Sequence, residues 1–376
     1  MPKWTAKIAD FIRETDKILL FVCVAASLFG SVAVLSATRY LETYRPFAVQ
    51  LIGTALGVFI AVIIAGFDFD FFTRHYILAA IVGVVPVILT FFIGFAPAGT
   101  DDKAWLDLGI TTFQPSELMK ICFIVTFAAH LSKVKESINK PKTLIPVLLH
   151  GAFPVLLIHF QGDDGTALVF AIMVVFMLLA AGLSWKYFVA AIGVALVASP
   201  LVYFLVLNED QRARIVSVFD IEADISGSTY QQYRGRAALA NGGFFGQGLF
   251  RGSLTQNGGV PEGQNDFIFV SIGEELGIVG CLAVIILLCI ICIRCLKAAS
   301  LCRKESGKII AVGFFAMMFA QMFINLGMCL ALLPVIGVTL PFFSAGGTSL
   351  VCVYMGVGLV LSVYMHRNTR TIHLHD

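Results

Sequence analysis

The sequence predicts an all-α integral membrane protein with about ten transmembrane helices. Of its 376 residues, 58% are hydrophobic and only 13% are charged, whereas soluble domains carry about a quarter charged residues. The apolar residues also gather in ten runs of about 20 residues, the length that a helix needs to cross a bilayer. The sequence has no basic stripe interleaved with aromatic residues, so it excludes a nucleic-acid partner and indicates membrane lipid as the surroundings.

The ten predicted spans form one transmembrane domain that covers residues 1–376. Only a few residues around Ser184 join the sixth span to the seventh, which predicts a tight antiparallel hairpin. The spans are expected at 18–38, 47–67, 75–97, 116–132, 143–160, 165–184, 186–207, 266–294, 308–333 and 342–366.

The distribution of Lys and Arg predicts the orientation, because cytoplasmic loops retain positive charge. Roughly twice as many of these residues fall on the side of the N-terminus as on the opposite side. Both termini are therefore expected in the cytoplasm, and the polar stretch 208–265 between the seventh and eighth spans is expected outside. Such a loop is too long for a simple connector, and its glycines favour close backbone approach to a ligand or to the helix ends. A flexible loop is the alternative.

Two groups of charged residues fall where predicted spans meet the outer surface. Glu117 and Lys120 are spaced i, i+3 and share one helix face; they either neutralise each other or leave Lys120 to bind a phosphate. Asp163 and Asp164 are adjacent in a very short outer loop, where capping of the next helix is the default interpretation for one of them. Ionisable groups near hydrocarbon persist mostly where they face a wet cavity or each other.

Asp266 lies where the long outer loop enters the eighth span, and Glu274 and Glu275 follow two turns deeper. A partly desolvated carboxylate at such a boundary has a raised pKa and can serve as a general base. Helix capping is the alternative role for Asp266.

The last two spans carry Asn325 and a connection rich in Pro and Gly, from Pro334 to Ser349. Helix breakers at membrane depth are tolerated where the backbone lines a cavity or is buried in protein, and a tight hairpin with small-residue packing is the alternative. The residues thus predict an outward-facing polar site built from several helices. They leave open whether the protein is a transporter or an enzyme.

Six ordered blocks resemble those of the SEDS proteins (shape, elongation, division and sporulation), the RodA, FtsW and SpoVE type of bacterial cell-wall glycan polymerases. The resemblance spans nearly the whole chain, and the short segments before the first span and after the last favour the RodA-like elongation type. Gly162 and Asp164 stand where the family usually has Pro and Leu, which makes that loop more acidic. The blocks are Gln114–Ile121, Gln161–Thr166, Tyr230–Gly248, Pro261–Phe269, Glu274–Gly277 and Leu340–Ser349.

The resemblance implies a peptidoglycan glycosyltransferase of the bacterial plasma membrane that acts in cell elongation or division. It would polymerise lipid II with inversion at the anomeric carbon and release undecaprenyl diphosphate. Asp266 is then the expected catalytic base, and a divalent metal ion such as Mg or Mn is expected to stabilise the leaving group. The residues expected to bind substrate are Lys120, Glu117, Trp105, Asp163, Arg234, Arg236, Glu262, Glu275, Ser344 and Ser349.

The same resemblance implies lipid II and undecaprenyl-linked glycan as ligands and a class B penicillin-binding transpeptidase as protein partner. A flippase that moves lipid II across the bilayer is the alternative function. Both functions need a cavity open to isoprenoid lipid and basic enough for a diphosphate. A flippase needs no base at the outer mouth, so the position of Asp266 favours the polymerase.

Overall fold

The computed structural model describes residues 13–96, 102–107, 109, 112–205, 207–216 and 229–368, and these residues are almost entirely helical. Residues 217–228 of the predicted outer loop lie outside the described part. The helices are α1 (Lys17–Ala37), α2 (Arg45–Ala65), α3 (Phe69–Arg74), α4 (Tyr76–Ile93), α5 (Pro115–Val134), α6 (Pro141–Gln161), α7 (Asp164–Ala180), α8 (Trp185–Leu205), α9 (Glu209–Val216), α10 (Tyr230–Gly242), α11 (Ile268–Leu301), α12 (Glu305–Cys329) and α13 (Gly347–Met365).

The predicted polytopic membrane fold is confirmed. Eight of these helices are long and apolar enough to cross a bilayer, and α5 and the shorter α7 correspond to the other two predicted spans. A two-stranded antiparallel ribbon of β1 (Leu106–Asp107) and β2 (Thr112–Phe113) lies in the connection between α4 and α5.

The connection between α12 and α13 begins earlier and ends later than the predicted spans allow. The ninth span was expected to reach residue 333 and the tenth to start at 342, but residues 330–346 leave the helix and form a loop, here called the α12–α13 loop. Gly337 adopts a left-handed backbone (φ 68°) in this loop, and Pro334 and Pro341 lack the N–H that a helix requires. The eighth span also differs, because Asp266 precedes the first turn of α11.

Helix α11 is interrupted at Gly277, whose φ of 65° and ψ of −161° are not helical. The outer loop after α10 supplies the missing backbone partners: the N–H of Ile278 donates to the carbonyl of Gly243 at 3.1 Å, and the N–H of Gln247 donates to the carbonyl of Glu274 at 3.0 Å. Residues 229–265 therefore dock on α11, which argues against the flexible-loop alternative for this part of the loop.

The sixth and seventh spans are joined by a short connection as predicted, but they do not form a packed hairpin. Phe188 is the only buried residue of α8. Because α8 is apolar on all faces, lipid can cover it without a protein neighbour.

Helix α12 lies at the centre of the bundle, in contact with α5, α7, α11 and α13. Helices α2 and α13 pack closely, since a Cβ added at Gly53 would lie 2.9 Å from backbone atoms of Gly347. This packing holds one end of the α12–α13 loop against α2.

Candidate active site

The α12–α13 loop brings the N-terminal ends of α7 and α11 together. A Cβ added at Gly165, in the first turn of α7, would lie 2.2 Å from the carbonyl oxygen of Ile336, and one added at Gly337 would lie 3.6 Å from Oδ2 of Asp266. The loop therefore contacts the start of α7 on one side and Asp266 on the other. Asp163 caps α7 at this point, so Asp163 and Asp266 belong to one site.

The carboxylate of Asp266 is half-buried, and within the described residues no donor lies within hydrogen-bond distance of it. Removal from water raises the pKa of Asp266 to about 7, and the negative charges of Glu262 and Asp163 add to this effect. Such a group is ionised in part at neutral pH and basic enough to accept a proton from a hydroxyl group.

Asp163 is buried, and both of its carboxylate oxygens accept hydrogen bonds. Its Oδ1 accepts the backbone N–H of Thr166 at 2.8 Å, and its Oδ2 accepts the side-chain amide of Gln114 at 2.9 Å. Burial raises the pKa of Asp163, whereas the hydrogen bonds from Thr166 and the charge of Lys120 lower it. The capping interpretation is thus correct for Asp163. The positive charge of Lys120 also acts on this carboxylate.

Lys120 and Glu117 form an ion pair in α5, with Nζ 2.8 Å from Oε1 and side chains that are 1% and 6% exposed. The pairing agrees with the mutual-neutralisation alternative. Because an ammonium has three donors, this contact leaves Lys120 with further hydrogen-bonding capacity beside Asp163.

Four predicted substrate-binding residues lie in segments that the sequence places outside the membrane. Arg234 donates from Nε to the carbonyl of Gly259 at 2.8 Å, and Arg236, two residues further along α10, is exposed. Glu262 is exposed and accepts the amide of Asn265 at 2.7 Å. Trp105 is half-buried next to β1, where its backbone pairs with Phe95.

Glu275 lies away from Asp266 and has protein partners for both oxygens. Its Oε2 accepts the Ser36 hydroxyl at 2.6 Å and its Oε1 accepts the Gln256 amide at 2.7 Å. The neighbouring Glu274, fully buried, accepts the backbone N–H groups of Leu254 and Thr255. Both carboxylates attach the outer loop to α11, and substrate binding by Glu275 stays a prediction.

Ser344 and Ser349 occupy different positions around the α12–α13 loop. The Ser344 hydroxyl donates to the carbonyl of Asn265 at 2.8 Å, directly before Asp266. Ser349 lines a small cavity of about 10 Å³, together with Gln321, whose buried Oε1 has no hydrogen-bond partner among the described residues.

A family model described as "Cell cycle protein", for FtsW, RodA and SpoVE, matches residues 16–369. The chain belongs to this family. The expected resemblance is confirmed over nearly the whole sequence, from the start of α1 to the end of α13.

Named relatives and solved structures agree with this family assignment. The chain is 33% identical to "Peptidoglycan glycosyltransferase MrdB" of Escherichia coli K12 over 281 residues, which covers 75% of this chain and 76% of that protein. It is 30% identical to "Probable peptidoglycan glycosyltransferase FtsW" of Geobacter sulfurreducens over 361 residues, 94% of this chain and 95% of that protein.

Two solved structures share the fold. A chain from a peptidoglycan synthase complex, described as coordinating polymerization and crosslinking, aligns with a TM-score of 0.82 at 26% identity and covers 95% of this chain and 99% of that chain. The crystal structure of the rod shape determining protein RodA from Thermus thermophilus aligns with a TM-score of 0.68 at 26% identity, covering 95% and 98% of the two chains.

Three amide side chains of this FtsW, RodA and SpoVE family member complete the site, although none was among the expected catalytic or substrate-binding residues. Gln114 binds Asp163, and Asn325 donates to the carbonyl of Asp266 at 2.7 Å. Gln50 donates to the carbonyl of Ser344 and accepts the N–H of Gly346, which holds the α12–α13 loop from α2. The available signal was a lone amide within an apolar span, as for Gln50 and Asn325.

The predicted divalent metal ion finds no protein-only binding site in the part of the chain that the structure describes. No group of three or more His, Cys, Asp or Glu side chains there could hold a metal. Mg²⁺ commonly binds through one or two carboxylates and substrate phosphates. We assign no metal ligand, and a cation carried with the diphosphate stays a prediction.

Proposed function

We propose that this chain is a peptidoglycan glycosyltransferase that polymerises lipid II into glycan strands with inversion, and that Asp266 is its general base. The observation that carries the proposal is the environment of the Asp266 carboxylate. It lies just before the first turn of α11, has no hydrogen-bond donor within the described residues, and has a pKa of about 7. A carboxylate with a merely structural role would normally accept hydrogen bonds, as Asp163 does.

The proposed reaction is a single displacement. The 4-hydroxyl of one disaccharide unit transfers its proton to the Asp266 carboxylate while its oxygen bonds to the anomeric carbon of the lipid-linked glycan. The bond between that carbon and the phosphate oxygen breaks, and undecaprenyl diphosphate leaves with the electron pair. One displacement inverts the anomeric carbon, which agrees with one base rather than a base and a nucleophile.

Positive charge near the leaving group favours this reaction, because the diphosphate gains negative charge in the transition state. Lys120 supplies such charge beside Asp163, although it is almost fully buried against Glu117. Because the Lys120 side chain is only 1% exposed, direct contact with the diphosphate requires the residues around it to move. Arg234, in helix α10 of the predicted outer loop, is a second candidate for binding the phosphates.

We place the protein in the bacterial plasma membrane with both termini in the cytoplasm. The excess of Lys and Arg on one side supports this orientation. We also propose a class B penicillin-binding transpeptidase as partner, since the similar solved complex couples polymerization with crosslinking. Copurification of the two full-length proteins from membranes tests this partnership, and failure to associate counts against it.

The experiment that tests the function supplies purified full-length protein with fluorescent lipid II and a divalent cation and follows glycan strands on a gel. Wild-type protein should form strands, and Asp266→Asn should not. Glu42→Gln is the matched control, because it makes the same carboxylate-to-amide change on an exposed outer loop and should retain activity. Strand formation by Asp266→Asn at the wild-type rate rejects the assigned base.

The flippase alternative predicts a different result. Asp266→Asn would then still move fluorescent lipid II across the bilayer of proteoliposomes, and the wild-type protein would form no strands. The donor-free carboxylate favours the glycosyltransferase, since transport involves no proton transfer from a sugar hydroxyl.

A further inference from the structure

The segment that carries Asp266 is held by its backbone. Residues 261–267 form turns before α11 begins. The backbone carbonyls of residues 264–266 each accept a hydrogen bond from α12 or from the α12–α13 loop. The carbonyl of Gln264 accepts the N–H of Ala345 at 2.8 Å, that of Asn265 accepts the Ser344 hydroxyl at 2.8 Å, and that of Asp266 accepts the Asn325 amide at 2.7 Å.

Asn325 is the central member of this arrangement. It is fully buried, and its amide nitrogen donates both to the carbonyl of Asp266 and to the carbonyl of Val338, each at 2.7 Å. Val338 follows Gly337, the residue that faces Oδ2 of Asp266. One side-chain amide therefore joins the backbone of Asp266 to the loop that covers its carboxylate. The thiol of Cys329 adds a weaker contact to the carbonyl of Asp266 at 3.5 Å.

Ser344 connects the same two segments one residue earlier. Its hydroxyl donates to Asn265 and accepts the backbone N–H of Leu340 at 2.8 Å. Only a group with a donor and an acceptor can make both bonds. Asn325 and Ser344 thus leave the position of Asp266 little freedom without touching its carboxylate.

We propose that Asn325, assisted by Ser344, is a positioning residue that sets the location of the Asp266 carboxylate through backbone carbonyls alone. This inference rests on the proposed function. The physical advantage is specific: a donor aimed at the carboxylate would stabilise its charged form and weaken it as a base, whereas donors on the backbone restrict its position and leave its basicity unchanged. Displacements of about 1 Å at a reacting group can reduce a rate by about a hundredfold.

The test compares Asn325→Ala and Ser344→Ala with two matched variants. Ser344→Thr keeps the hydroxyl and should restore the rate that Ser344→Ala loses. Asn257→Ala removes an exposed amide that also donates to a backbone carbonyl, that of Ser253 at 2.8 Å, and should behave as wild type. A thermal unfolding curve of each purified variant establishes that the protein used in the activity assay is folded.

The expected result is a fall in kcat of about tenfold to a hundredfold for Asn325→Ala, with KM for lipid II changed less than about twofold. The midpoint of its pH–rate profile should also move to lower pH, because a carboxylate released from the site becomes better hydrated. A loss of packing elsewhere would lower the amount of folded protein without moving that midpoint.

Three outcomes overturn the inference: an unchanged kcat, a change confined to KM, or a loss of rate with an unmoved pH profile. Normal activity of Asn325→Ala beside an inactive Asp266→Asn rejects the positioning role alone. Absence of strands from wild-type protein, or full activity of Asp266→Asn, rejects the proposed function and the inference with it.

Discussion

The rate of glycan synthesis should rise with pH through about 7. The pKa of Asp266 is raised to about 7, first by removal of its carboxylate from water and then by the charges of Glu262 and Asp163. A base with this pKa is about 9% ionised at pH 6 and about 91% ionised at pH 8, so kcat/KM should increase about tenfold between these values. Below the pKa the carboxyl is protonated and cannot accept the proton of the acceptor hydroxyl, which sets the sign of the effect.

Replacing Glu262 with Gln should move the profile to lower pH. After burial, the negative charge of Glu262 is the largest cause of the raised pKa of Asp266, so its removal makes the ionised form of Asp266 easier to reach. Glu42→Gln is a close control, since Glu42 is also exposed and also has a left-handed backbone, with φ of 53° against 50° for Glu262. Its profile should superimpose on that of the wild type.

The assay measures initial rates with subsaturating fluorescent lipid II at constant ionic strength, from about pH 5.5 to about pH 8.5. A rate that does not change between pH 6 and pH 8, or that rises toward acid, refutes the role of Asp266 as base. A Glu262→Gln profile displaced to higher pH refutes the electrostatic reasoning while leaving the base itself in place.

Three further predictions concern the parts that support the site. Glu274→Ala removes the buried acceptor of four hydrogen bonds and should lower the free energy of unfolding by about 2–4 kcal/mol, seen as a lower thermal unfolding temperature in detergent; an unchanged temperature contradicts this. Lys120→Met leaves Glu117 buried without its partner and should lower the free energy of unfolding by about 3–5 kcal/mol. The double variant with Glu117→Gln should recover much of this loss in the same assay. Gly165→Ala places a methyl group 2.2 Å from a loop carbonyl and should reduce strand synthesis at least about tenfold, whereas Gly193→Ala, which faces open space, should leave synthesis unchanged.

The sequence alone was sufficient for the transmembrane architecture and the family. A span is recognisable locally, because in lipid each helix satisfies its backbone within its own segment and only needs enough apolar side chains. The family blocks are also local runs of residues, and they include Asp266 and Asp163. The ends of α12 and α13 were placed less well, because Pro334, Gly337 and Pro341 form a loop that still consists largely of apolar residues.

The tertiary structure decided which polar residues meet. Asn325 and Asp266 are 59 positions apart, and Ser36 and Glu275 are 239 positions apart. No local pattern links such pairs, because their contact depends on how α1, α11 and α12 pack after each has formed. Packing also gave both oxygens of Glu275 protein partners, and it fixed the backbone of Asp266 by hydrogen bonds while no donor of the described residues contacts its carboxylate. That combination arises only when the α12–α13 loop closes over the start of α11, since the donors to the backbone come from elements distant in sequence.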